Sequence, residues 1–155
     1  MKSPIRPLII AFLLAPAAAG AADSGPPGAA SDPVQERVSA ATQRKDWPAA
    51  QAALRDALAK DPGNADYHNL YAYSIRKGAN PDMNLVFRHY NEALRLDPKH
   101  RGAHEYIGEA YLMVNNLAKA KEHLGQLDKL CFLPCSEFND LKNAIAAHER
   151  KQVAR

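Results

Sequence analysis

From residue 33 onward, apolar residues recur at intervals of three and four, in runs broken by polar, proline-bearing or asparagine-bearing segments. This spacing lines them along one face of a helix and predicts helices over 33–44, 47–59, 66–77, 83–96, 101–114, 117–130 and 136–151. The stretch 94–111 shows the logic best. Leu94 and Leu96 close one helix. Pro98 lacks an N–H and biases Asp97 away from the helical region, and periodicity resumes with Ala103, Ile107, Ala110 and Tyr111 on one face. Gly108 sits inside that second helix, where glycine costs about 1 kcal/mol relative to alanine. A second helix lying very close would explain the missing side chain.

The pattern repeats. Leu58-Ala-Lys-Asp-Pro62 matches Leu94-Arg-Leu-Asp-Pro98, with the two prolines 36 residues apart. Ahead of them, Ala50, Leu54 and Ala57 have the spacing of Val86, Tyr90 and Ala93. A third copy carries Ala120 and Leu124 but has Leu127 where the others have alanine, and its proline is displaced to Pro134. Gly78-Ala-Asn-Pro-Asp82 is the predicted site of a two-residue insertion, since its residues break helices. Asn115-Asn116 marks another turn.

With His104, Ile107, Gly108 and Tyr111, then Ala120 and Leu124, this spacing resembles the tetratricopeptide-repeat family, whose signature is W-x2-L-G-x2-Y…A-x3-F…P over 34 residues. His104 replaces the first aromatic, and His68, Tyr71, Ala72 and Ile75 form a degraded version of the same landmarks. The resemblance implies an all-α fold: three helix-turn-helix repeats (about 31–64, 65–100 and 101–132) stacked as a short right-handed superhelix. A C-terminal capping helix over 136–151 would close the domain, which spans 34–151. The first helix has only Val34, Val38 and Ala41 as apolar positions, as expected of a terminal repeat with a polar outer face. Asp32 or Ser31 would cap it, with Pro33 in the first turn. Ser136 is the expected cap of the final helix, with Phe138, Leu141, Ile145 and His148 along one stripe.

Residues 1–22 read as a secretory signal peptide: Lys2 and Arg6, an apolar run from Leu8 to Ala15, then small residues from Ala17 to Ala22. The run is far shorter than the roughly 20 residues of a membrane span. No cysteine lies nearby to anchor a lipid. Residues 23–33, rich in Gly, Pro, Ser and Ala, read as a disordered linker. Removing residues 1–22 takes away two of the 20 basic residues and none of the 17 acidic ones, so the net charge falls from +3 to near +1. No nucleic-acid footprint remains. The expectation is a periplasmic or secreted protein with no stable membrane span after cleavage.

Cys131 and Cys135 are the most unusual residues. In an exported chain they favour a disulfide pinning the final helix to the last repeat, worth about 1–3 kcal/mol for so short a loop. Free thiols, or a redox or metal-handling pair, are the alternatives, although the C-x3-C spacing lacks the thioredoxin-like C-x2-C form. His100 and His104 could face a metal together. His68 and His104, however, stand 36 residues apart at one repeat position, which points to packing. No phosphate loop, nucleophile elbow or zinc motif is present, so no catalytic residue, cofactor or metal is assigned.

What remains is the concave groove that the resemblance implies along the first helices. Transferred by register, it takes Asp66, Asn69, Tyr73, Arg76 and Lys77 from the second repeat. The third repeat contributes Gly102, Glu105, Glu109, Leu112 and Met113. Relatives that clamp a C-terminal carboxylate use bases and amides there, and Glu105 and Glu109 have the wrong sign for that. The groove suits a peptide with some basic character. The expectation is therefore a non-catalytic scaffold for a protein or peptide partner, conceivably an assembly factor for envelope proteins. The alternative is a thiol-redox or metal-handling accessory using Cys131 and Cys135.

Overall fold

The computed structural model describes residues 32–133 and 135–154. The signal peptide read over 1–22, nearly all of the linker read over 23–33, and Pro134 lie outside them. Seven helices follow one another among the described residues: α1 (Pro33–Gln43), α2 (Trp47–Lys60), α3 (Ala65–Arg76), α4 (Met83–Leu96), α5 (Arg101–Met113), α6 (Leu117–Leu130) and α7 (Ser136–Val153). No helix among these residues is long and apolar enough to cross a membrane. Each helix packs on the next, and α5 also receives α7.

Sequence chemistry explains the helix ends. Asp32, Asp46, Asn64, Asp82, His100 and Asn116 each accept a backbone N–H of the first turn that follows, satisfying donors that a helix leaves orphaned. The last helix departs from expectation. Cys135, not Ser136, holds the capping position, and no side chain caps α7. The matching Asp-Pro segments also fold alike: Asp61 and Asp97 end α2 and α4 at φ −134° and −132°, each donating its N–H to the alanine four residues back. Turns α1–α2 and α5–α6 both place a residue in the left-handed region, Lys45 (φ 56°) and Asn115 (φ 58°). The longer turn from Gly78 to Asp82 replaces that device between α3 and α4 and absorbs the insertion.

Alanines carry the close crossings. Ala50, Ala72, Ala93, Ala103, Ala110 and Ala120 are fully buried, as are Leu54, Val86, Tyr90, Ile107, Leu127 and Leu141. One apolar cluster runs from Val38 to Ala110, and a second joins Ala120, Leu127, Leu141 and Ile145 under α7. Gly108 has the close neighbour its position demands. A Cβ there would lie 2.6 Å from Cδ2 of Leu141, so the glycine lets the closing helix seat on α5. At the far end of α7, His148 leaves the apolar stripe and bonds Asn115 Oδ1 at 3.0 Å.

Candidate functional site

The first helices of the three pairs, α1, α3 and α5, border a hollow of about 260 Å3. Gln35, Val38, Ser39 and Thr42 form one wall, Leu70 and Tyr73 the floor, and Tyr106 the other wall. The aromatic rings are fixed by one another. Trp47 meets Tyr73 edge-on at 6.0 Å, and Tyr73 tilts against Tyr106 at 4.8 Å. Such pairs contribute about 0.5–1.5 kcal/mol beyond their buried area.

Arg76 organises the polar chemistry beside the hollow. It is buried, donates from Nε to Tyr90 Oη at 3.3 Å, and pairs through Nη2 with Glu109 at 2.7 Å. Its guanidinium lies 5.5 Å from the Tyr73 ring centre and 5.7 Å from that of Tyr106. Burial works against the Arg76 cation, but Tyr90 and Glu109 hold it charged, above its ordinary value. The base and acids expected on opposite sides of a mixed groove thus partly neutralise each other.

Glu105 has no such help. It is 8% exposed, and no side chain among the described residues bonds its carboxyl. Burial, with Glu109, Asp140 and Glu137 adding to it and Arg76 opposing, pushes that carboxyl up to about 7. Asn69 stands at the equivalent register position of α3, 5% exposed, with its Oδ1 lacking a hydrogen-bond partner. Its amide nitrogen lies 3.5 Å from where a Gly102 Cβ would be. Burial also pushes the Tyr106 hydroxyl up to about 12, and Glu105 reinforces the effect.

Of the residues expected in the groove, Tyr73 lines the hollow, while Arg76, Glu105 and Glu109 gather around Tyr106. Lys77 is exposed just past α3, 5.8 Å from the Tyr73 ring centre. Leu112 packs on the cluster under α7, and Met113 is half-exposed at the end of α5. Gln35, Ser39 and Thr42 were missed, although the register used for the later repeats points to them. Leu70 and Tyr106, which are 36 residues apart, face the hollow from a position the register rule leaves out.

The histidines form a second, self-contained set. His68 Nε2 lies 3.0 Å from Pro62 O, and His104 Nε2 lies 3.1 Å from Pro98 O. A carbonyl only accepts, so each Nε2 carries the proton and each Nδ1 is bare. Those bare nitrogens face Nδ1 of His89 at 2.8 Å and of His123 at 2.9 Å, which must donate. Burial and the facing histidine push both His89 and His123 down to about 4, and burial lowers His104. His89 and His123 escaped the sequence reading, yet each directly precedes a second-helix landmark, Tyr90 or Leu124. His100 and His104 do not converge. His100 caps α5 and reaches Asp66 at 3.0 Å, while His104 turns to His123. Among the described residues no group of three His, Cys, Asp or Glu is placed to hold a metal. Cys131 and Cys135 are joined in a disulfide with Cα atoms 5.8 Å apart, and Phe132 in the loop is fully exposed.

Comparison with known proteins places this architecture. No protein-family model matches the sequence, and no curated protein does. Solved structures do. The TPR2B domain of yeast Sti1, in a pHsp70 complex, superposes at TM-score 0.67 with 18% identity, covering 76% of this chain and 94% of that one. The Yersinia enterocolitica type III secretion chaperone SycD, bound to a peptide of the translocator YopD, gives 0.63 at 15%, covering 77% and 92%. The first TPR domain of human RPAP3 gives 0.62 at 16%, covering 76% and 93%. The chain has the tetratricopeptide-repeat fold.

Proposed function

From the premise of a tetratricopeptide-repeat fold, we propose that this chain is a non-catalytic scaffold that takes a peptide segment of a protein partner into the hollow between α1, α3 and α5. The observation that carries the reading is the aromatic floor and wall, Tyr73 and Tyr106, on helices that also carry a buried Asn69 Oδ1 without a hydrogen-bond partner. A folded domain pairs its buried polar groups, so an open groove with unpaired ones suits an occupant. The yeast and Yersinia structures, whose complexes hold pHsp70 and a YopD peptide, support a peptide-binding role for the fold.

We further propose that the protein is exported through the signal read in residues 1–22 and serves as an assembly factor for envelope proteins. N-terminal sequencing of the mature protein tests export, with a new terminus expected between Ala19 and Asp23. For the groove, a photo-crosslinking residue replaces Ser39 or, as a control, the exposed Gln126 of α6. A discrete partner adduct from position 39 alone is the expected result. Adducts equal from both positions, or absent from position 39, would overturn the groove assignment.

A further inference from the structure

Along the groove the same register position is filled by Gln35 in α1, Asn69 in α3 and Glu105 in α5. Four residues on, the series is Ser39, Tyr73 and Glu109. One end is therefore neutral and the other acidic. Glu109 at the acidic end already has a counter-ion in Arg76 at 2.7 Å. Glu105 has none, and α7 adds Glu137 and Asp140 to its surroundings. Arg101 reaches Glu137 at 3.6 Å, not Glu105.

Two acceptors thus lack a hydrogen-bond partner among the described residues: Asn69 Oδ1 on α3, which is buried, and the carboxyl of Glu105 on α5, a residue 8% exposed. A carboxylate in so dry a place also lacks a positive charge. A cation carrying N–H groups supplies both needs.

We propose that the α5–α7 end of the groove is a subsite for a lysine or arginine side chain of the bound peptide, with Glu105 as its counter-ion and Asn69 Oδ1 as its second acceptor. The proposal rests on the groove reading above and sharpens it by naming a partner chemistry. Tyr106 lines the hollow and follows Glu105 in α5, so a peptide can place its basic residue at Glu105 and its apolar residues on the aromatic floor. Because the empty site holds the Glu105 proton up to about 7, docking a cation expels that proton. Binding therefore tightens as pH rises through neutrality. The charges that act on Glu105 are Glu109 on its own helix, Arg76 on α3, and Glu137 and Asp140 on α7.

The test uses the full chain, immobilised, with a displayed library of random dodecapeptides as probe. Selected peptides are synthesised with their basic residues intact or replaced by norleucine. Lysine or arginine should be enriched at one fixed position, and Glu105→Gln should weaken the intact peptides about tenfold, the loss expected for one charge-assisted contact. The norleucine versions should bind wild type and Glu105→Gln alike. Between pH 6 and 8 the intact peptides should gain about tenfold on wild type and little on Glu105→Gln. Tyr73→Ala separates the two levels of the argument. Peptides that depend on Tyr73 but show no basic enrichment, or bind Glu105→Gln equally, overturn the subsite and leave the groove reading standing. Peptides indifferent to Tyr73, or no selected peptides at all, overturn both.

Discussion

His104 and Glu105 are consecutive residues of α5 and equally hidden from solvent, 7% and 8% exposed. They point about 100° apart around the helix and meet opposite treatment. His104 spends both ring nitrogens, one on Pro98 O and one on His123 Nδ1, and the second pair repeats the device with His68, Pro62 and His89. Glu105 has no hydrogen-bond partner among the described residues, and Asn69 Oδ1, at the equivalent position of α3, has none either. The histidine pairs spend their ring nitrogens on one another and on backbone carbonyls, whereas Glu105 and Asn69 Oδ1 are left wanting. The difference separates contacts that hold the helices together from groups that the proposed groove would offer a ligand.

The largest effect should come from breaking the satisfied side. His104→Ala strands the His123 donor and the Pro98 acceptor and empties a ring's volume, so a loss of about 2–4 kcal/mol is expected. A urea midpoint at pH 8 reads it, and a loss under about 1 kcal/mol would erase the contrast. Acid comes next. His89 and His123 bind protons near pH 4 when folded but near 6.5 when unfolded, so the unfolded chain takes up more protons between those values. Stability is complete above pH 6.5 and falls steadily as pH drops towards 4, by about 1 kcal/mol per pair once the half-exposure of these rings is allowed for. Replacing both residues with glutamine should flatten that slope in a pH series of denaturation curves.

On the wanting side the sign reverses. The Glu105 carboxyl titrates near 7 when folded, against an ordinary value of 4.5, so it withdraws stability as pH rises from 4.5 to 7. Glu105→Gln should therefore stabilise the empty protein by about 1 kcal/mol at pH 8 and leave it unchanged at pH 4.5. Asn69→Leu should have the smallest effect, within about 0.5 kcal/mol in the same assay, since no hydrogen bond to Oδ1 is lost. A large loss there would mean that Asn69 is structural.

The helices were legible because their punctuation is chemical. Prolines after Asp61 and Asp97, small residues at Ala50, Ala57 and Ala93, and Gly108 in mid-helix each exclude most other conformations. Groove positions were legible only by register, which found Tyr73 and Glu105 but cannot know how far a side chain reaches. Arg76, expected to face a ligand, crosses to Tyr90 and Glu109 instead. Leu112 turns into the cluster under α7. The histidine pairs join residues 21 and 19 apart, and their different separations across the longer middle turn hid an identical contact. Ser136 is the first residue of α7 and not its cap; that place falls to Cys135, which is cross-linked to Cys131 and offers no side-chain acceptor.

Arg76 has one more consequence. In a linear array each unit touches only its neighbours, so cooperativity passes through whatever spans their seams. Arg76 belongs to α3, bonds α4 through Tyr90 and grips α5 through Glu109, and so ties the second pair to the third at one buried point. The first pair is tied to the second by other means: Gln51 donates to Ser74 O at 3.1 Å, the Tyr67 hydroxyl donates to Asp32 Oδ2 at 2.7 Å, and Trp47 meets Tyr73 edge-on. Amide hydrogens of α3, α4 and α5 should then exchange together, and Arg76→Ala should uncouple them in the same measurement.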